Sequence, residues 1–307
     1  MSVAAGGPPD GGLTGHGEIE AAERRALSPA GRRSPWAAVL RNRVSAVGIA
    51  LALAIAAVSA GAPLLTPWSP YDQDAVHRLR PPGGAHLLGQ DTFGRDVLTR
   101  ILYAGRVSLA VGVGAVALGG VAGTALGLAA GYYGGGVGTA IMRLVDVLMA
   151  FPSLLLGLVV LAVLGPGLGK LIVAIGLVLA PPFARVTHGT TLSLVGQEFV
   201  DAARAIGAGP WRILGRHILR NVLGELVVLG GLLAAGAIRI EASLSFIGLG
   251  VPPPVPTWGN MIREGTPYLI DAPWLSIAPG AAIVLAVLAF NLVGDALRDV
   301  IDPRLRS

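Results

Sequence analysis

Apolar residues run along this chain in blocks too long for a soluble core. Val44–Leu65 is uncharged for 22 residues, Val107–Tyr133 for 27, Val147–Gly169 for 23 and Ala272–Gly294 for 23. A bilayer hydrocarbon core about 30 Å thick takes about 20 helical residues, so each block can cross one. Two further runs are interrupted: Leu171–Ala184 continues past Arg185, and Leu226–Ile238 meets Arg239 and Glu241 before Ala242–Gly250. The pattern predicts an all-α polytopic membrane protein with six spans, at about 44–66, 107–133, 144–165, 169–187, 224–249 and 274–296. Val44–Leu65 starts too late and runs too long for a cleavable leader, so it is expected to remain as a span. Residues 1–40, rich in Gly, Pro, Ala and Ser and without apolar periodicity, are expected to form a flexible cytoplasmic tail ahead of a membrane domain at 41–307.

Composition agrees with the pattern. Hydrophobic residues make up 53% of the chain and charged residues 13%, where a soluble domain carries roughly 25% charge. A water-soluble enzyme and a disordered chain are both excluded. The 45 Gly and 22 Pro follow no G-X-Y period, which excludes collagen. Net charge is +5, but the arginines border apolar blocks and build no solvated patch for nucleic acid. Their placement speaks to orientation, because cytoplasmic loops collect Lys and Arg. With the N-terminus inside, fifteen basic residues fall in inner segments and seven in outer ones. Both termini are therefore expected in the cytoplasm of a multi-pass membrane protein. The chain has no cysteine, so disulfide, thiol and Cys-zinc chemistry are excluded.

Catalytic signatures are missing. There is no HExxH or GxSxG, and the five histidines are scattered without metal-ligand spacing. The stretch Leu164–Leu171 only faintly resembles a P-loop, with leucines where the first glycine and the magnesium-binding Ser/Thr belong. No catalytic, metal or nucleotide site is expected in this chain. Gly119, Gly123, Gly127 and Gly131 recur every four residues, a face for close helix contact, either within the chain or against a partner subunit.

Charges inside spans are expensive: an arginine at mid-span costs about 2.5–3.5 kcal/mol on insertion scales. Arg239 and Glu241 are therefore candidates for the translocation path. The structural alternative is that Arg239 snorkels outward while Glu241 bonds a neighbouring helix. Arg143 and Asp146, at i, i+3, are expected to pair. Two amphipathic pieces, 95–103 and 295–306, are expected along the membrane surface, the second carrying Asp295–Arg298 and Arg298–Asp302 pairs.

The most informative polar stretch is 197–221. Phe199, Ala203 and Ile206 share one helical face, and Gly207 is a natural helix stop. Gly209-Pro210 then opens a second helix, with Arg212, Arg216 and Arg220 in one stripe and Trp211, Leu214, Ile218 and Val222 facing an apolar neighbour. A short helix ended by glycine, with small alanines at a tight bend, makes a knob that a protein groove could grip.

Asp201-Ala202-Ala203-(x3)-Gly207 resembles the EAA loop of ABC importer permeases, with Asp in place of Glu. Segments similar to dipeptide/oligopeptide permease C-type subunits flank it in order. They are His86–Arg100, Gly131–Gly135, Met142–Asp146, Phe151–Leu156, Glu241–Gly250, Trp258–Met261 and Phe290–Arg304. The resemblance implies the type I importer permease fold and a role for Asp201, Ala202, Ala203, Arg204, Ala205, Ile206 and Gly207 in coupling to an ATPase. The implied partners are a cytoplasmic ABC ATPase that binds ATP and magnesium, a homologous second permease, and an extracytoplasmic peptide-binding protein. The implied function is import of di- or oligopeptides. Nickel or another small solute in the same subfamily, and a proton-coupled secondary transporter, are the alternatives.

Overall fold

The computed structural model describes residues 42–301. The expected tail at 1–40 and the Arg298–Asp302 pair lie outside the described residues. Among these the long helices are α1 (Arg43–Ala60), α2 (Val97–Tyr133), α3 (Gly135–Ala150), α4 (Ser153–Leu164) and α5 (Leu168–Val195). They continue with α6 (Glu198–Ala205), α7 (Leu219–Ile247), α8 (Trp258–Gly265) and α9 (Trp274–Ile301). A helical turn at Pro210–Arg212 and a π-helical stretch at Ile213–Ile218 lead directly into α7, making one rod over Pro210–Ile247.

Helix direction follows from contacts. α2 and α5 run parallel, because Gly119 lies on Gly176, Gly127 on Ala184 and Gly131 on Thr191. α7 and α9 run antiparallel, with Gly231 against Gly294. α1 is antiparallel to α9: Gly48 meets Leu292, and the Asn42 side-chain amide donates to Asp299 Oδ2 at 3.1 Å. The start of α1, the end of α9 and the 197–221 loop thus share one end of the bundle. The 61–96 and 248–273 loops share the other.

The glycine ladder on α2 packs within the chain. A Cβ on Gly119 would sit 2.7 Å from the Gly176 carbonyl oxygen, and one on Gly127 would sit 2.5 Å from that of Ala184. On Gly123 it would collide with the Ala180 carbonyl. No residue but glycine lets these backbones meet, and in lipid such contact is a main source of helix association. Three buried clusters follow along the bundle. One centres on Val111, Leu161, Leu171, Ile175 and Leu244. Another at the loop end centres on Val97, Ile238, Trp258 and Leu275. The last, at the termini end, centres on Phe183, Val200, Ile213 and Ile218.

Three expectations need correction. The third span, expected as one helix over 144–165, is α3 and α4 bent by 99° at Phe151-Pro152. Proline lacks an amide hydrogen and drives its predecessor out of helical geometry, and Phe151 is extended at φ −83°, ψ 137°. Among the described residues five helices are individually long and apolar enough to cross, six if the bent pair counts as one span. Second, 95–103 is no surface helix. Asp96 caps α2 by accepting from the Thr99 amide at 2.7 Å, and Val97, Thr99 and Arg100 are buried. Third, Asp146 pairs with Arg185 of α5, not with Arg143.

Candidate functional site

At the termini end, α6 is an amphipathic helix of two turns. Val200 and Ala203 are buried against Ile213, Leu214, Ile218 and Val222. Asp201, Ala202, Arg204, Ala205, Ile206 and Gly207 all face outward. The stop forms as glycine allows. Gly207 sits at φ +80°, its amide donating to the Arg204 carbonyl at 2.9 Å, and the Ala208 amide reaches back to Ala203 at 3.0 Å. This is the two-bond motif that ends helices at glycine. Gly209-Pro210 then starts the next helix.

Two expectations about this loop are overturned. Ile206 does not share the buried face of Ala203. It is the helix cap and is 86% exposed. Trp211 does not lean on an apolar neighbour and is 85% exposed. The π-helical stretch after it, one residue wider per turn, turns Ile213 and Leu214 inward together and leaves Arg212, Arg216 and Arg220 outside. The knob is therefore tipped by two large apolar side chains beside exposed charges. Arg204 pairs with Asp201 at 3.0 Å and lies 5.8 Å from the centroid of the Tyr132 ring, linking the knob to the end of α2. Tyr132 was not singled out by the sequence. Its only signal was the Gly131-Tyr-Tyr-Gly-Gly135 stretch.

Inside the bundle, Glu241 is fully buried. It accepts from Ser108 Oγ at 2.9 Å and from Ser245 Oγ at 2.8 Å, one bond to each carboxyl oxygen. In this conformation it clasps α2 to α7. Arg239 is exposed on the opposite side of α7, as positions two apart on a helix require.

At the loop end, the 86–100 segment is a polar plug. Asp91 Oδ1 accepts from the Phe93 and Arg95 amides, and its Oδ2 accepts from Arg95 Nε at 2.7 Å. Glu264 of α8 receives Arg95 Nη2 at 2.9 Å and Arg100 Nη2 at 3.1 Å, and Arg100 Nε stands 3.5 Å from Asp91. Asp91, Arg95 and Arg100 are buried. His86 holds the other Asp96 oxygen at 2.9 Å and stacks on Trp68. On the outer surface of the loop, the hydrogen bond from His77 holds the Asp74 carboxyl below the ordinary carboxylate range. Spacing alone shows Asp91, Arg95 and Arg100 as a helix-like charge pattern. It does not show that Glu264, 164 residues beyond Arg100, closes the network.

Among the described residues no group of three or more His, Asp or Glu could hold a metal ion. Comparison with known proteins identifies the family. Residues 123–307 match the model of the binding-protein-dependent transport system inner membrane component, and residues 33–82 match that of the N-terminal membrane domain of oligopeptide transport permease C. The chain belongs to this family of inner-membrane permeases. It is a transport component, not an enzyme, and its family works with ATPase and binding-protein partners. The permease is 42% identical to the glutathione transport system permease protein of Pectobacterium atrosepticum, over 90% of this chain and 92% of that one. It is 40% identical to the dipeptide transport system permease protein of Alkalihalophilus pseudofirmus, over 89% and 91%. It is 38% identical to the di/tripeptide transport system permease protein of Pseudomonas aeruginosa, over 89% and 92%.

Proposed function

We propose that this permease forms one half of the membrane pathway of an ATP-driven importer of di- and oligopeptides. The other half is a homologous permease, the ATP and magnesium are held by separate cytoplasmic ATPase subunits, and an external binding protein delivers the peptide. Both chain termini and the 197–221 loop then face the cytoplasm, in line with the arginine distribution. The observation that carries the reading is the knob. Val200 and Ala203 anchor α6 to the bundle while Ile206 and Trp211 stand almost wholly exposed at its tip. Exposed large apolar side chains on a rigid support mark a protein contact. The peptide class rests on the relatives' own substrates: dipeptides, di/tripeptides and glutathione.

Mechanically, a push on the tip moves Val200 and Ala203 against the start of the Pro210–Ile247 rod, and Arg204 carries the same displacement to Tyr132 on α2. α2 and α7 are the helices that Ser108 and Glu241 clasp, so a force on the knob reaches the middle of the bundle through two rods.

The test is Ile206→Asp in the assembled transporter reconstituted in liposomes. A buried apolar anchor changed to a charge costs an interface 2 kcal/mol or more, so peptide uptake should fall by about tenfold or more. Insertion and thermal stability should not change, because Ile206 touches no core. Uptake and peptide-stimulated ATP hydrolysis at wild-type levels would refute the docking role. Uptake that survives ATP depletion and stops with a proton ionophore would instead mark a secondary transporter, and uptake of nickel without peptide would mark a metal importer.

A further inference from the structure

Between α2, α3 and α5, at the termini end, lies an open recess of about 330 Å³, at the lower end of the range of small-molecule sites. Gly134, Gly135, Thr139, Arg143, Asp146 and His188 contribute to its wall. Neither the arginine stripe nor the knob includes it. α3 climbs from Gly138, packed on the Ala130 carbonyl, to Asp146, paired with Arg185 at the depth where Gly127 meets Ala184. The recess thus extends from the bundle end into the membrane-spanning part.

Its charges are arranged unevenly. Asp146 Oδ1 is taken by Arg185, leaving Oδ2 open. Arg143, one turn earlier on the same helix, makes no hydrogen bond or ion pair among the described residues. Neither does the His188 ring across the recess. The start of α3 on the floor has no side-chain cap, and Gly134 and Gly135, at φ +59° and +50°, have open space where a Cβ would stand. Arg143 is exposed to the recess, with its donors free for a ligand.

Resting on the peptide-import reading above, we infer that this recess is a binding station for a zwitterionic dipeptide, with its carboxylate on Arg143 and its ammonium on Asp146 Oδ2. Spacing supports both ends at once. Positions i, i+3 on a helix hold their Cβ atoms about 5–6 Å apart, so both side chains reach the same recess. A dipeptide separates its amine nitrogen from its carboxyl carbon by about 6 Å, from one Cα–Cα step of 3.80 Å plus the terminal bonds. Arg143 supplies a flat fork of donors that suits a carboxylate. His188 adds a hydrogen bond from the opposite wall. A phosphatidylglycerol phosphate offers the anion but no ammonium for Asp146, so the small zwitterion fits the pair better than that lipid does.

The experiment titrates Ala-Ala, its C-terminal amide and its N-acetyl form against the permease–ATPase complex without binding protein, in phosphatidylcholine nanodiscs. Wild type should bind Ala-Ala roughly tenfold tighter than the amide, as one charge-assisted bidentate pair warrants. Arg143→Gln should bring the acid-to-amide ratio to about one, and Arg143→Lys should keep part of it. Asp146→Asn should remove the preference over the N-acetyl form. If Arg143→Gln fails to assemble, the acid-to-amide ratio of the wild type alone decides. An acid preference unchanged in Arg143→Gln, or no preference in the wild type, overturns the inference. So does Ala-Ala binding that phosphatidylglycerol suppresses in the wild type but not in Arg143→Gln, which would assign the recess to lipid phosphate. Wild-type peptide uptake in liposomes is measured alongside. Its absence would sink the import reading itself, while its presence with an unaltered Arg143→Gln sinks only the station.

Discussion

Ser108 on α2 donates a hydrogen bond of 2.9 Å to Glu241 on α7, across a contact from which water is excluded. The carboxyl's second oxygen is held by Ser245, one turn further along α7. Glu241→Ala would leave both hydroxyls buried without an acceptor, at about 1–3 kcal/mol. Glu241→Gln keeps an oxygen for Ser108 or Ser245. Thermal unfolding in nanodiscs should therefore rank wild type above Gln and Gln above Ala. Uptake by the Gln variant should stay near wild type, whereas a loss of uptake with normal stability would place Glu241 on the solute path.

The glycine ladder predicts a sharp contrast between neighbours. A Cβ on Gly123 lands on the Ala180 carbonyl, while one on Gly120 meets only the Phe183 ring at 3.5 Å, an ordinary contact. Gly123→Ala should force α2 and α5 apart and cost about 1–3 kcal/mol, as overpacking does. Gly120→Ala should be nearly neutral. Yield of folded protein and melting temperature separate the two, and equal behaviour would show that the α2–α5 contact is loose.

How much of this was legible follows from what sets each feature. Five of six spans show in the sequence because length and hydropathy are local properties. The bend at Phe151-Pro152 was written there too, but its apolar surroundings hid it: Val147–Gly169 reads as one block whether straight or folded. The glycine period announced a close contact, yet nothing local says whether Gly123 meets Ala180 of the same chain or another subunit. In the knob, Gly207 and Pro210 were readable because backbone geometry depends on the residue itself. The inward turn of Ile213 and the exposure of Trp211 were not, because the π-helical stretch breaks the 3.6-residue phase on which such readings rest. Long-range pairs were least visible. Asp146 chose Arg185, 39 residues on, over Arg143 at three, since the bend at Pro152 and the α3–α5 packing decide what Asp146 faces.

The polar plug predicts a cost for unbalancing it. Asp91 is buried and meets Arg95, with Arg100 close by, besides holding two backbone amides. Removing one partner of such a set leaves charge buried without compensation, at about 3–5 kcal/mol. Asp91→Ala should sharply reduce folded protein in the membrane. Glu264→Ala should cost less, since Glu264 is partly exposed and water can replace it. Proteolysis of the 61–96 loop reports the damage, and a loop as protected in Asp91→Ala as in wild type would contradict this account.

The bend between α3 and α4 raises the question of what maintains it. Proline makes a continuous helix unfavourable, but both arms are also anchored. Val145 is buried and Asp146 is tied to Arg185 on the α3 side, while Leu161 is buried and Gly157 packs against Leu244 on the α4 side. Straightening the pair would pull one set of contacts out of place, so packing should hold the bend without the proline. The chain has no native cysteine, so cysteines placed at exposed Val137 and Val163 can carry the only spin labels. With 1.5 Å per residue and a 99° bend, the labelled backbones lie about 25 Å apart, against about 39 Å for a straight helix. Pro152→Ala should keep the shorter distance. A distribution centred near the longer one would show that the proline alone sets the path of this span.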